Sequence, residues 1–196
     1  KTKKLTFLLA LTFLFLFSCP VYGDELEDAF SAFMAKDYEK AQKLWTQLAE
    51  QGDGEAKWWM GFIYSLGQGV PQDDQEAFKW FRSGAEGGHV KSQNMLGAIF
   101  LEGKVVPQNI KEALKWYRFA AEQGDAVGEY QIGAIYLKGK VVPQNKKEAF
   151  KWILRSAMQG YAKAQHNLGV MYLTGNGVTQ NYKESFYWSK RAAEQG

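Results

Sequence analysis

One interval organises this chain: its residues recur every 36 positions. Gly52, Gly88, Gly124, Gly160 and Gly196 lie at that spacing, and so do Gly61, Gly97, Gly133 and Gly169. Met60, Leu96, Ile132 or Leu168 precedes each glycine of the second set, and Tyr64, Phe100, Tyr136 and Tyr172 follow it in register. Trp80, Trp116, Trp152 and Trp188 repeat on the same interval. A period of this length marks an array in which each supersecondary unit buries its apolar face against its neighbours. Stability then comes from the units and from the interfaces between adjacent ones.

Each unit reads as two helices. In the third unit the first helix is expected from about Asp125 to Lys138 and the second from about Asn145 to Gln159, so the chain is all-α. Gly52, Gly88, Gly124 and Gly160 follow the second helix, where a left-handed residue without a Cβ closes a helix at low cost. Gly61, Gly97, Gly133 and Gly169 fall inside the first helix, where glycine costs about 1 kcal/mol against alanine. Four such costs predict a close helix crossing, with Ala77, Ala113 and Ala149 as the expected small partners. Trp80 with Phe81, and Trp116 with Tyr117, come three and four residues after an alanine and so share a core-filling face. Val70–Asp73, Val106–Asn109 and Val142–Asn145 turn the chain between helices, each ending in an Asp or Asn placed to cap the next helix. Thr179 replaces the proline in the fourth unit.

Four full units follow one another at 53–88, 89–124, 125–160 and 161–196. Residues 24–52 form a hairpin of different composition, with Leu26, Ala29, Phe30 and Phe33 on one helix and Tyr38, Ala41, Leu44, Trp45 and Leu48 on the other. An atypical terminal unit is what capping such an array requires. The chain stops at Gly196 on a unit boundary without a polar-faced last helix, which predicts further chain or a separate cap.

Residues 1–23 differ in kind. Lys1, Lys3 and Lys4 precede an apolar block from Leu5 to Phe17, shorter than the roughly 20 residues that span a bilayer. This is the pattern of a secretory signal peptide. Cleavage after Val21-Tyr22-Gly23 would release a chain beginning at Asp24; alternatively, Leu16-Phe17-Ser18-Cys19 resembles a lipoprotein box with a lipid anchor on Cys19. Export to the periplasm or beyond is expected either way, with no membrane insertion of the mature domain. The three lysines also account for the formal charge of +3: 24 − 3 = 21 basic residues then balance 21 acidic ones. A neutral domain gives no ground for nucleic-acid binding, which needs a clustered basic face. Cys19 is the only cysteine, so no internal disulfide forms and packing must supply the stability.

The LG-x-x-Y-like element, the G-x-V-x-Q-D/N loop, the A-x-x-W helix and the A-x-Q-G end resemble the Sel1-like repeat family, over residues 53–196. The hairpin at 24–52 looks more like an ordinary tetratricopeptide unit. The resemblance implies a right-handed α-solenoid of helix-turn-helix repeats that scaffolds protein–protein contacts, and a bacterial protein of the envelope or secreted. Some members with paired cysteines in each unit bind or slowly hydrolyse β-lactams. This chain lacks those cysteines, and that activity is carried only as the alternative function.

No metal-ligand pair, nucleophile elbow or cofactor fingerprint is present, so no enzyme and no cofactor is expected. His89 and His166, the two histidines, occupy different places in their units. Gly67-Gln68-Gly69 and Gly175-Asn176-Gly177 read as turns, because they sit between helices and not between a strand and a helix. By analogy with tetratricopeptide solenoids, the first helices line a concave face. Trp58, Phe62 and Ser65; Asn94, Ala98 and Leu101; Tyr130, Ala134 and Leu137; and His166, Val170 and Leu173 fall there. The expected protein- or peptide-binding residues are Trp58, Phe62, Asn94, Tyr130, His166 and Val170. Packing between neighbouring helices is the other use open to Trp58 and Tyr130. Lys79, Arg82, Lys115 and Arg118 form a basic stripe on the second helices, read as a solvated outer face.

Overall fold

A computed structural model describes residues 22–140 and 142–196. The proposed signal segment and Cys19 lie outside the described residues, apart from the first two residues of α1. Ten helices are seen among the described residues, and no strand: α1 Tyr22–Met34, α2 Tyr38–Glu50, α3 Gly54–Leu66, α4 Asp74–Glu86, α5 Val90–Glu102, α6 Ile110–Glu122, α7 Ala126–Lys138, α8 Lys146–Met158, α9 Ala162–Thr174 and α10 Tyr182–Ala193. Each packs mainly on the helices before and after it in the chain, so the array is a solenoid of hairpins.

The helix starts follow from single side chains. Asp73, Asn109 and Asn145 each accept a hydrogen bond from a backbone N–H in the first turn of the second helix, as expected, and Asn181 does the same in the fourth unit. Asp37, Asp53 and Asp125 do the same for α2, α3 and α7. Such caps satisfy donors that have no partner inside the helix, each contributing about 1 kcal/mol. Gly124 stands at φ +84°, and a Cβ on it would touch nothing within 4 Å, so its glycine serves the backbone alone.

The core is a line of clusters along the array, without one centre. Trp45 and Leu48 meet Met60 and Ile63; Tyr117 meets Ile132; Ile153 meets Leu168 and Met171. The mid-helix glycines do mark the helix crossings, but their partners differ from the expected alanines. A Cβ on Gly61 would lie 2.6 Å from the Phe81 ring, and one on Gly97 2.8 Å from the Tyr117 ring. On Gly133 it would lie 2.6 Å from Ile153 Cγ1 and 3.1 Å from the Ala149 carbonyl oxygen. On Gly169 it would meet Ser189 Oγ. The covering side chain comes one helical turn after the alanine. Ala77, Ala113 and Ala149 are buried in the core, and Ala149 offers the glycine only its backbone oxygen.

A buried polar tie repeats with the units. The side-chain amide of Gln123 donates to Gln93 at 2.9 Å, Gln159 to Glu129 at 2.8 Å, and Gln195 to Gln165 at 2.7 Å. The acceptors are 3%, 1% and 0% exposed, so each needs that partner. Gln93 and Gln165 also donate back to the carbonyls of Ala85 and Ala157 in the preceding second helices. In the first full unit both positions change together, to Lys57 (93 − 36) and Gly87 (123 − 36).

Unit stacking uses a further apolar position. Phe78 meets Phe100 edge-on at 6.0 Å and Phe150 meets Tyr172 at 5.6 Å, each on the next unit. Phe186, one period after Phe150, is 72% exposed.

Candidate functional site

The face of the first helices opposite the core carries the expected row of residues. Trp58, Phe62, Asn94 and Tyr130 are half-buried, while His166, Val170 and Leu173 are exposed. Helical phase explains the placement, since Met60 and Ile63, Leu96, Ile132 and Leu168 point into the core.

Trp58 and Phe62 stack at 5.4 Å with their planes 19° apart, and Lys91 Nζ of the next unit lies 5.2 Å from the centre of the Trp58 ring. Trp59 supports the pair edge-on at 5.0 Å and itself lies flat on buried Trp45 at 4.9 Å. This end of the row is an aromatic platform on a rigid base.

Asn94 and Tyr130 have internal duties. The Asn94 amide donates to Asp125 at 2.7 Å, and the same carboxylate oxygen caps α7 through Gly128 N–H. Tyr130 meets Tyr161 edge-on at 5.3 Å, and its hydroxyl accepts from the Asn167 amide at 3.2 Å. Both residues tie one unit to the next. The His166 side chain makes no hydrogen bond or ion pair among the described residues.

One arrangement has the residue types of a catalytic triad. His89 Nδ1 lies 2.9 Å from Ser92 Oγ, and His89 Nε2 lies 3.0 Å from a Glu55 carboxylate oxygen. A nucleophile must reach a substrate. Ser92 is 0% exposed, and even a Cβ on Gly84 would strike its hydroxyl oxygen. The set is a junction between units, joined by Lys91, whose Nζ stands 2.6 Å from Glu55. Burial pushes the Glu55 carboxyl up, but the hydrogen bonds and charges of Lys91 and His89 outweigh it and hold the group below its ordinary value. A depressed carboxylate stabilises the fold above its unfolded-state pKa, and that contribution is lost as pH falls through the folded-state value. Glu55→Gln should therefore lower denaturant stability at pH 7 and lose its effect in acid, below the ordinary glutamate range. A difference from the parent that grew towards acid would contradict this assignment.

Burial also pushes the Tyr117 phenol up, with the charge of Glu102 adding to it, so this hydroxyl stays neutral near pH 7. Among the described residues no three His, Cys, Asp or Glu side chains converge to hold a metal ion, and no helix is long and apolar enough to cross a membrane. On the second helices Lys79 pairs with Glu76, Lys115 with Glu112 and Arg82 with Glu86, all within one helix. Exposed pairs of this kind contribute little and describe a solvated face.

A model of the Sel1 repeat matches residues 30–53, 54–89, 90–125, 126–161 and 162–196, which is most of the chain. The chain belongs to the Sel1 repeat family. Its first match includes part of the hairpin formed by α1 and α2. A protective antigen present in uropathogenic Escherichia coli strains, displaying an SLR fold, is 34% identical with a TM-score of 0.76, over 79% of this chain and 33% of that one. A Sel1 repeat protein from Oxalobacter formigenes is also 34% identical at a TM-score of 0.76, over 80% of this chain and 62% of its own. The chain thus spans about a third and under two thirds of those two structures. Cysteine-rich protein B of Helicobacter pylori shares the fold at 17% identity and a TM-score of 0.53, over 63% of this chain and 92% of its own. No match was found among curated protein sequences. Sel1 repeat proteins are generally scaffolds for protein interaction, and the family is typically non-catalytic.

Proposed function

We propose that this Sel1 repeat chain is a non-catalytic adaptor of the bacterial envelope or secreted space, which binds a protein or peptide along the first-helix face. In this reading residues 1–23 are a signal peptide, 24–52 cap the array and 53–196 form four binding units. The observation that carries it is the Trp58–Phe62 platform, half-open on a rigid base with a lysine over its indole. Aromatic anchors of this kind concentrate binding energy, and their truncation costs about 2 kcal/mol or more. His166 and Val170 extend the row on α9, while half-buried Asn94 and Tyr130 lie between the two ends and hold the units together.

Cross-linking in the native envelope, followed by identification of the captured species, tests the reading. A specific polypeptide is expected; a retained small molecule that the purified chain turns over would overturn it. Trp58→Ala should weaken capture at least about tenfold with melting near that of the parent. Lys79→Ala and Lys115→Ala on the outer face should change little. Loss of capture in the lysine variants alone would place the binding surface on the second helices. Export is tested by intact mass: an N-terminus at Asp24 is expected, and an uncleaved cytosolic product would overturn it.

A further inference from the structure

At the loop-side edge of the first-helix face, a cavity of about 330 Å³ opens between the second and third full units. Leu101, Ile110, Ala134 and Ile135 give it an aliphatic lining beside the amides of Gln108 and Gln131, and Lys138 and Lys140 stand at it. Ile110 and Ile135 are buried, so the floor belongs to the core, while Leu101 and Ala134 are half-buried members of the first-helix row.

The repeat supplies an internal comparison. One period earlier the two lysine positions hold Glu102 (138 − 36) and Lys104 (140 − 36), which pair at 3.0 Å. In the third unit the acid of that pair has become a lysine. Lys138 and Lys140 are exposed, and neither has an ion-pair partner among the described residues. The charge follows the same trend along the whole edge. Residues 66–75 contain Asp73 and Asp74 (net −2), and residues 102–111 contain Glu102, Lys104 and Lys111 (net +1). Residues 138–147 contain Lys138, Lys140, Lys146 and Lys147 (net +4), and residues 174–183 only Lys183 (net +1). In a domain whose charges balance, four lysines gather between the end of α7 and the start of α8, and two of them stand at this cavity. Like charges set close together cost stability, and an anionic partner relieves them.

We propose that this cavity and its lysines form an anchor for an acidic polypeptide segment. One aliphatic side chain enters the cavity, and flanking carboxylates meet Lys138 and Lys140. The inference rests on the polypeptide-binding reading given above and adds a charge requirement to it. The lining decides against nucleic acid, because single strands bind on aromatic platforms and this cavity has no ring in its wall. Aliphatic lining with a cationic rim fits a chain that alternates acids with Leu, Ile or Val. The exposed lysines act chiefly on encounter and specificity, so the affinity is salt-dependent.

The test uses the full chain and three end-blocked, dye-labelled peptides read by fluorescence anisotropy: Asp-Glu-Leu-Glu-Asp, its amide counterpart Asn-Gln-Leu-Gln-Asn, and Asp-Glu-Gly-Glu-Asp. The acidic leucine peptide should bind, each comparator at least about tenfold more weakly. Lys138→Glu combined with Lys140→Glu should weaken the acidic leucine peptide by at least about tenfold and leave melting near that of the parent. Lys183→Glu, a charge reversal in the first turn of α10, should change nothing. Equal binding of the amide peptide would overturn the charge requirement and leave the polypeptide-binding face standing. Silence from all three peptides, with Trp58→Ala capturing as well as the parent, would sink both. Preferential binding of polyuridylate or of phosphatidylglycerol vesicles, lost in the double lysine variant, would also overturn the proposal.

Discussion

Gly133→Leu should cost at least about 3 kcal/mol, the upper end of what overpacking a core usually costs. The first added atom already decides it. A Cβ at this position would lie 2.6 Å from Ile153 Cγ1, closer than Cβ atoms approach other heavy atoms, and 3.1 Å from the carbonyl oxygen of Ala149. Ile153 is fully buried and has little room to turn aside, and a backbone oxygen cannot rotate away. A leucine must therefore push α7 and α8 apart. Gly133→Ala is the informative milder step. Alanine gains about 1 kcal/mol of helix propensity over glycine, which offsets part of the clash and leaves a smaller loss than leucine. Because each unit couples only to its neighbours, hydrogen exchange should rise in α7 and α8 far more than in α3 and α4. Melting of the leucine variant like the parent would show that the crossing is wrong.

The second large effect is expected at the buried charge. Glu129 is 1% exposed; its carboxylate is 2.7 Å from the guanidinium of half-exposed Arg155 and also accepts from Gln159 at 2.8 Å. Arg155→Ala leaves that carboxylate in the core without a cation, and breaking a buried pair from one side costs about 3 kcal/mol or more. The guanidinium also stacks on Trp152 at 4.8 Å, and that contact goes with it. Glu129→Gln is expected to cost less than about 1 kcal/mol, because a neutral amide needs no cation. The protein itself is the precedent: Gln93 and Gln165 occupy this position one period to either side, each accepting from the matching glutamine. Adding Glu129→Gln to Arg155→Ala should therefore recover most of the lost stability, as read by denaturant midpoint. A double variant as unstable as Arg155→Ala alone would show that the buried charge is not the cause.

Much of the architecture was legible because it is local. A cap is settled within three residues, so Asp73, Asn109 and Asn145 could be assigned to their helices from position alone. The phase of the first helices likewise put Trp58, Phe62, His166 and Val170 on the open side. Contacts between units were less legible. Asn94 reaches Asp125 across 31 residues and Tyr130 reaches Asn167 across 37, so two residues read as binding positions also hold junctions together. The Gln-to-Gln tie left a trace, the simultaneous change to Lys57 and Gly87, which has meaning only once the two positions are seen to touch. Ala149 looked like the small partner of Gly133 because both are small. The side chain over the glycine is Ile153, one turn on, since the two helices cross at an angle that spacing does not specify.

By itself, then, the sequence determined the unit, its two helices, their ends and the faces they bury, since periodicity, caps and breakers act over a few residues through backbone hydrogen bonding and sterics. The Lys138–Lys147 charge was also written in it, as four lysines without an acid. Only the tertiary structure decided what those features do. It put an aliphatic cavity beside Lys138 and Lys140, turned a Ser–His–Glu set into a sealed junction by burying Ser92, and gave Glu129 its cation. Each depends on the depth and angle at which one helix settles on the next, and that is fixed by the summed packing of many side chains.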